Sequence, residues 1–298
     1  MPGQTGHDGR GARAVDAREE PTGARRSSVS HSRPPALKRY GQNHLVDTGT
    51  LQAIVALAAV RPDDVVLEVG AADGALTRRL LDRAALVYAF EIDRRFTTAL
   101  EGLAAERENL RLHFGDALRE PLDRLDPPPT ALVANLAYNI AIPLIMTMLG
   151  DLPTVRRYAV MLQKELADRL FAAPRTKPYS AVSVLVQLAC EAGPRRVVPR
   201  TVFVPPPRVD SAFVTFARRD EWPADHWPAL KVLVRTAFGQ RRKLLLNSLS
   251  GAAHGGRAPL ARDDVRRALL ALDLSPEARP EELTPPQWAA FADEIGWL

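Results

Sequence analysis

Four short segments carry residue types that together suit one kind of chemistry. Glu68-Val69-Gly70-Ala71-Ala72-Asp73-Gly74 closes a β-branched apolar run. A glycine at that point lets the backbone turn sharply and lets a ligand approach closely. Phe90-Glu91-Ile92-Asp93 closes a second run about 20 residues on, where an acid can accept hydrogen bonds from ribose hydroxyls. Phe114-Gly115-Asp116-Ala117 closes a third and offers Asp116 to an exocyclic amine of adenine. Taken singly, Glu91 and Asp116 are better read as solvated strand-end acids or helix caps. In this order, glycine turn, acid and acid describe a nucleoside cradle with no need for phosphate. Such a cradle fits S-adenosylmethionine better than a nicotinamide dinucleotide.

The fourth segment is Val133-Ala134-Asn135-Leu136-Ala137-Tyr138-Asn139-Ile140. An exocyclic amino group is a poor nucleophile because its lone pair is delocalised into the ring. The side-chain oxygen of Asn135 and the main-chain carbonyl of Leu136 can accept its two N–H bonds and localise that lone pair. Tyr138 can stack on the base, a contact worth about 1–3 kcal/mol. An adenine inside a helix has to leave its stack to reach such a pocket.

Asn135-Leu136-Ala137-Tyr138 resembles the Asn-Leu-Pro-Tyr motif of the KsgA/Erm family of ribosomal RNA adenine N6-dimethyltransferases. Lys38-Arg39-Tyr40-Gly41-Gln42-Asn43-His44-Leu45 is similar to the family's Gly-Gln-Asn-Phe-Leu segment, and Met161-Leu162-Gln163-Lys164-Glu165 to its fifth-strand signature. Pro205-Pro206-Pro207-Arg208-Val209-Asp210-Ser211-Ala212 resembles its proline loop. Phe238-Gly239-Gln240-Arg241-Arg242-Lys243, with Asn247-Ser248-Leu249, resembles its Asn-Gln-Arg-Arg-Lys helix. The likeness runs from about residue 36 to 292 and is closer to the KsgA branch, which modifies small-subunit rRNA, than to the Erm branch.

The resemblance implies N6-dimethylation of two adjacent adenines in a small-subunit (16S) rRNA hairpin, a ribosome-maturation step with S-adenosyl-L-methionine as methyl donor. It also implies a cofactor site of Gln42, Asn43, Leu45, Gly70, Glu91, Asp116, Ala117 and Asn135, and an adenine site of Asn135, Leu136 and Tyr138. Arg208, Arg241, Arg242 and Lys243 are the expected RNA contacts, and Arg195, Arg196 and Arg200 belong to a basic rim around the proline loop. Three positions depart from the family pattern: Ala72 for a glycine, Ala137 for the motif proline, and His44 for phenylalanine. Two alternatives stay open: an Erm-like 23S rRNA methyltransferase conferring antibiotic resistance, and an RNA-binding assembly factor with reduced chemistry.

These segments need a scaffold that brings strand ends to one edge. Apolar runs at Val65–Val69, Leu86–Ile92, Leu110–Phe114, Ala131–Ala134 and Tyr158–Leu162 alternate with helical patterns such as Ala75–Arg83 and Arg95–Arg107. That alternation predicts an α/β fold, a Rossmann-like class I methyltransferase sheet, mostly parallel and covered on both faces. Val197–Val204 and Ser211–Phe216, separated by three prolines, are expected to close the sheet as an antiparallel pair. Helical patterns at Trp227–Phe238, Arg241–Leu249, Ala261–Leu270 and Pro286–Glu294 predict a small C-terminal helical domain packed by Trp222, Trp227, Trp288 and Trp297, with Gly251–Pro259 as a mobile loop. The expected division is a disordered basic tail (1–33), a methyltransferase domain (34–218) and the helical domain (219–298).

Composition sets the outer bounds. In 298 residues, 40 are Lys or Arg against 35 Asp or Glu, for a net charge of +5. Only Lys38, Lys164, Lys177, Lys231 and Lys243 are lysines, so nearly all the basic charge is arginine. Arginine's planar fork suits phosphate, but coding bias also enriches it, and a modest net charge does not identify a nucleic-acid binder. The single cysteine, Cys190, excludes an internal disulfide and a multi-cysteine zinc site and is expected in the core. The histidines show no metal-ligand spacing. No apolar run reaches the roughly 20 residues of a membrane span, and residues 1–33 lack the apolar stretch of a secretory signal. The expected setting is therefore a cytoplasmic monomer whose partner is rRNA within a ribosomal subunit or its precursor, with no membrane and no metal.

Overall fold

A computed structural model describes residues 34–220, 224–256 and 258–298. The basic tail, Trp222 and one position of the Gly251–Pro259 loop lie outside the described residues. In chain order, the elements begin with β1 (His44–Leu45), α1 (Thr48–Ala58), β2 (Val65–Val69), α2 (Ala75–Leu81), β3 (Leu86–Glu91), α3 (Thr97–Glu106) and β4 (Leu110–Phe114). Next come β5 (Ala131–Asn135), α4 (Ala141–Asp151), β6 (Arg157–Gln163), α5 (Lys164–Leu170), α6 (Ala181–Ala189), β7 (Cys190–Val198), β8 (Phe203–Val204) and β9 (Ser211–Arg218). The chain finishes with α7 (Trp227–Gly239), α8 (Leu245–Ser248), α9 (Arg262–Ala271) and α10 (Pro285–Glu294).

Seven strands form one sheet in the order β4-β3-β2-β5-β6-β9-β7. The first five are parallel, β9 runs antiparallel to β6, and β7 antiparallel to β9. Because side chains alternate along a strand, β2 sends Val65, Leu67 and Val69 to one face and Val66 to the other. On the second face α1, α2 and α3 bring Leu51, Ile54, Leu80 and Leu100. On the first face α4 and α6 bring Leu144, Ile145, Val184 and Leu185, and the same apolar cluster continues into Leu233, Leu269, Trp288 and Phe291 of the C-terminal helices. Strand order reverses between β2 and β5, so their carboxyl ends diverge and leave a crevice there.

Local chemistry explains several helix starts. Asp47 caps α1 by accepting from the Thr50 N–H at 2.6 Å, and Ser180 with Ser183, and Thr284 with Gln287, form capping boxes for α6 and α10. Trp227, Trp288 and Trp297 are buried as expected, and the Trp297 Nε1–H donates to the Ala229 carbonyl at 2.8 Å. Buried Cys190 begins β7, and desolvation pushes its thiol up to about 12.

Two sequence expectations are corrected. The run Val197–Val204 is not one strand: β7 starts earlier, at Cys190, and ends at Val198, after which Phe203–Val204 pairs antiparallel with His44–Leu45 in a separate two-stranded ribbon. Pro199 breaks the ladder between them, since it has no N–H to donate. The expected helix Arg241–Leu249 shrinks to Leu245–Ser248, because residues 240–243 form turns closed by Lys243 N–H to the Gln240 carbonyl at 2.8 Å.

The residue that ties the antiparallel edge to the parallel half is Arg218, the last of β9 and only 8% exposed. Its guanidinium donates to the carbonyls of Met148, Leu149, Leu152 and Val155 at 3.0–3.3 Å and to the Tyr158 hydroxyl at 3.3 Å. Those carbonyls sit at and just beyond the C-terminus of α4, where helices lack internal donors and favour a cation. Replacement by an apolar side chain of similar length strands several buried carbonyls, each costing about 1–3 kcal/mol. Arg218→Met is expected to lower the unfolding free energy by about 3–5 kcal/mol, read as a shifted denaturant midpoint.

Candidate functional site

At the carboxyl ends of β2, β3, β4 and β5 lies a cavity of about 300 Å³, lined by Gly70, Glu91, Ile92, Asp116, Ala117 and the 135–140 segment. Residues 39–44, upstream of the sheet, form its other wall. The turn after β2 is built on positive φ angles at Gly70 (84°), Ala72 (51°) and Gly74 (78°). Ala72 therefore holds, with a Cβ, a conformation natural to glycine, at a cost of about 1–2 kcal/mol.

The backbone N–H groups of Gly70, Ala71, Ala72 and Gly74 in this turn are already committed. The N–H groups of Gly70 and Ala71 donate to the Phe90 carbonyl at 2.8 and 3.2 Å, and that of Gly74 to the Ala71 carbonyl at 2.9 Å. The Ala72 N–H donates to Glu91 Oε2 at 2.7 Å, while Glu91 Oε1 accepts from the Asp93 N–H at 2.8 Å. A pyrophosphate needs such amides free, so the turn is closed to dinucleotides. Acceptors dominate instead: burial raises the Glu91 carboxyl above its ordinary value, and each of its oxygens keeps a further lone pair. Asp116 accepts from the Leu118 N–H at 3.0 Å and turns toward Arg119 at 3.5 Å. Between the two acids Ile92 is 42% exposed on the cavity rim, an apolar platform beside polar groups. This set of acceptors fits a cationic, phosphate-free nucleoside such as S-adenosylmethionine.

Behind the turn, Glu68 is fully buried on β2, beside a small cavity of about 40 Å³ that Leu45, Gly70 and Asn135 also line. Leu45 thus supports the site from behind and does not line the main cavity. Desolvation, with the nearby charges of Glu91 and Asp73, pushes the Glu68 carboxyl up to about 8 from 4.5. His44, standing where phenylalanine was expected, is buried edge-on to Phe96 at 5.5 Å, so it keeps an aromatic's packing role.

On the opposite wall Asn135 ends β5, its Nδ2 donating to the Asn43 carbonyl at 3.3 Å. That bond turns the side-chain oxygen away from Asn43 and leaves it as an acceptor. Leu136 anchors its side chain in the core at 2% exposure, so its contribution to the cavity comes from the main chain. The Tyr138 hydroxyl lies 3.1 Å from Ser211 Oγ, and burial pushes the phenol's pKa up. The carbonyl of Ala137 accepts from the Ile140 N–H at 3.1 Å, closing the turn that leads into α4.

Two residues expected to touch ligands are also held within the protein. Gln42 lines the cavity, but its amide is engaged within the protein: Oε1 accepts from the Leu37 N–H at 2.8 Å and Nε2 donates to Asp93 at 2.9 Å. Arg241 is an internal clasp, its guanidinium bonded to Glu281 and to the carbonyls of Thr176 at 3.0 Å and Lys177 at 2.9 Å. Arg208, Arg242 and Lys243 are exposed. Arg195 of the basic rim is paired with Asp168 at 2.7 Å. Sequence reasoning missed Asp93 and the tether role of Ser211, although both stand inside motifs it singled out. Among the described residues no group of three His, Cys, Asp or Glu side chains is placed to hold a metal ion, and no helix is long and apolar enough to cross a membrane.

Comparison with known proteins gives a consistent picture. Residues 36–277 match the family model described as ribosomal RNA adenine dimethylase. A "Ribosomal RNA small subunit methyltransferase A" of Rubrobacter xylanophilus is 43% identical over 269 residues, covering 90% of this chain and 98% of the relative. A protein of the same description from Streptomyces griseus is 42% identical over 263 residues, covering 86% and 88%. Among solved structures, a dimethyladenosine transferase from Plasmodium falciparum aligns with a TM-score of 0.71 at 26% identity, covering 85% of this chain and 98% of that one. The 23S rRNA methyltransferase ErmE aligns with a TM-score of 0.62 at 28% identity, covering 85% and 100%.

Two outcomes test the turn. Ala72→Gly removes the strained Cβ while keeping the amide that binds Glu91, so it is expected to raise stability by up to about 1 kcal/mol with cofactor affinity retained, by denaturant titration and calorimetry. For Glu68 the folded pKa lies above the unfolded one, so its contribution is complete below about pH 4.5 and is lost as pH rises through about 8. Glu68→Gln, uncharged throughout, is expected to flatten that part of the stability profile between those limits.

Proposed function

The chain belongs to the ribosomal RNA adenine dimethylase family, and from that membership we propose that it dimethylates N6 of two adjacent adenines in a small-subunit rRNA hairpin. S-adenosylmethionine, when bound, supplies an electrophilic methyl group on a positively charged sulfur. Glu91 and Asp116 are the residues suited to hold its ribose and adenine, with Ile92 packing against the ring and Ala117 closing the floor. The observation that carries the reading is Asn135: its amide is oriented by the Asn43 carbonyl at the mouth of a cavity that accepts a nucleoside but not a pyrophosphate.

The target adenine has to leave its helix to reach this point. Asn135 Oδ1 and the Leu136 carbonyl accept its amine hydrogens, which keeps the nitrogen lone pair out of the ring. The Tyr138 ring, tethered through its hydroxyl to Ser211, is a stacking surface held at a fixed height. Acceptors fixed in advance stabilise the charge that develops on the amine without reorganising, so positioning does most of the work and no strong base is needed. Arg208, Arg242 and Lys243 supply phosphate contacts, which set register on the RNA but choose no sequence. The proposed substrate is the ribosomal subunit or its precursor, and the proposed setting is a cytoplasmic monomer, consistent with a single buried thiol.

The similarity to two small-subunit enzymes above 40% identity favours the small-subunit target over the large. The test is incubation of under-methylated small subunits with labelled S-adenosylmethionine, followed by mapping of the modified nucleotides. N6-dimethyladenosine at adjacent positions of the small-subunit rRNA is expected, and Asn135→Ala is expected to slow its formation about a hundredfold or more. Binding without turnover, or modification confined to large-subunit rRNA, would overturn the reading.

A further inference from the structure

Asn135 works only if its amide is turned the right way, and the group that turns it is not a side chain. It is the main-chain carbonyl of Asn43, in the segment that precedes the sheet. That segment crosses the cavity as a strap whose downstream end is fixed by the pairing of His44–Leu45 with Phe203–Val204. Upstream of Asn43 another anchor is needed, because a carbonyl on a loose strap would rotate away from Asn135.

That anchor is Asp93, two residues past the Glu91 of the cradle and 3% exposed. Its Oδ2 accepts from Gln42 Nε2 at 2.9 Å, one residue before Asn43. Both carboxylate oxygens are held by the Arg95 guanidinium at 2.5–3.1 Å, and Oδ1 also accepts from the Arg95 N–H at 3.1 Å. Arg95 Nη1 reaches onward to the Pro35 carbonyl at 3.1 Å, so the same pair grips the strap at a second point. The Asp93 N–H, in turn, donates to Glu91. The Arg95 guanidinium, with the Gln42 amide, holds the Asp93 carboxyl well below the ordinary carboxylate range.

We propose that Asp93 is a positioning residue for methyl transfer: through Gln42 and the Asn43 carbonyl it sets the orientation of Asn135, and through Glu91 it ties that orientation to the cofactor cradle. The proposal rests on the reading of Asn135 given above. It goes beyond helix capping, which the bond from Arg95 N–H to Oδ1 would satisfy alone. It separates the strap's role from direct cofactor binding, since both polar ends of the Gln42 amide are engaged within the protein. A displacement of about 1 Å at a reacting group can cost a hundredfold in rate, so a small loss of alignment is enough to be measured.

The experiment compares Gln42→Ala, Asp93→Asn and the double variant, each as full chain, in single-turnover methylation of under-methylated small subunits at saturating S-adenosylmethionine. Gln42→Ala alters only the strap, so it remains informative even if Asp93→Asn fails to fold. Each folded single variant is expected to lose about tenfold or more in the transfer rate, with KM for the subunit within about twofold of wild type. The double variant is expected to be no slower than the slower single one, because both changes cut the same chain. Wild-type rates in the folded variants, an effect confined to cofactor affinity, or losses that multiply in the double variant would each overturn the proposal. Failure of the wild-type protein to methylate would instead overturn the reading beneath it.

Discussion

One buried carboxylate governs what this crevice can hold. Glu91 accepts the Ala72 amide with one oxygen and the Asp93 amide with the other, and so joins the turn after β2 to the turn after its neighbour β3, beside the point where strand order reverses. The same Rossmann-like geometry in a dinucleotide enzyme leaves the amides of the first turn free for phosphate. Here those of Gly70, Ala71, Ala72 and Gly74 are spent on Phe90, Glu91 and Ala71, and beside them Glu91, Asp116 and Ile92 present acidic or apolar surface. A phosphate at this turn would meet acids in place of the amides it needs, whereas a nucleoside carrying positive charge meets complementary groups. The preference for S-adenosylmethionine thus follows from where the hydrogen bonds already go.

The Asn135–Tyr138 loop is held from several sides by parts of the chain far apart in sequence. Asn43 fixes Asn135, Ser211 fixes Tyr138, and the Leu136 side chain is sunk in the core. Downstream the loop runs directly into α4, whose C-terminal carbonyls are gathered by Arg218 at the end of β9. Ser211 and Arg218 are the two ends of the same strand, so β9 steadies both the entrance and the far end of the α4 unit. Such support keeps acceptors in place before the substrate arrives, which is the condition for electrostatic stabilisation at low reorganisation cost.

The sequence displays the parallel half of this arrangement well. Short apolar, often β-branched runs place β2 through β6 to within a residue or two, and the motifs place Gly70, Glu91, Asp116 and Asn135 at one edge of the sheet. Less legible are features decided by partners distant in the chain. Nothing local to Phe203–Val204 reveals that it leaves β7 to pair with His44–Leu45, and nothing in Arg241-Arg242-Lys243 reveals that the first arginine turns inward to Glu281 while the others face solvent. Gln42 is a similar case: a polar residue beside a cofactor motif reads as a ligand contact, and its long-range bond to Asp93 also makes it part of the strap. Side-chain type marks capacity for hydrogen bonding, and tertiary structure decides the recipient.

The two alanines that depart from the family pattern can be weighed in the same terms. At Ala72 the methyl group costs backbone strain at a φ of 51°, but the amide still reaches Glu91, so the link between the turns survives. At Ala137 the chain lacks proline's fixed φ, and the conformational freedom regained in the unfolded state is worth about 0.4–1 kcal/mol. Against that stand the turn bond from Ile140 to the Ala137 carbonyl, the tether of Tyr138 to Ser211 and the bond from Asn135 to Asn43, each worth about 0.5–1.5 kcal/mol net. Three such bonds within the Asn135–Ile140 segment outweigh the loss of one constrained torsion. The motif therefore keeps its shape through the surrounding fold, and the burden that proline would carry locally passes to the strap and to β9.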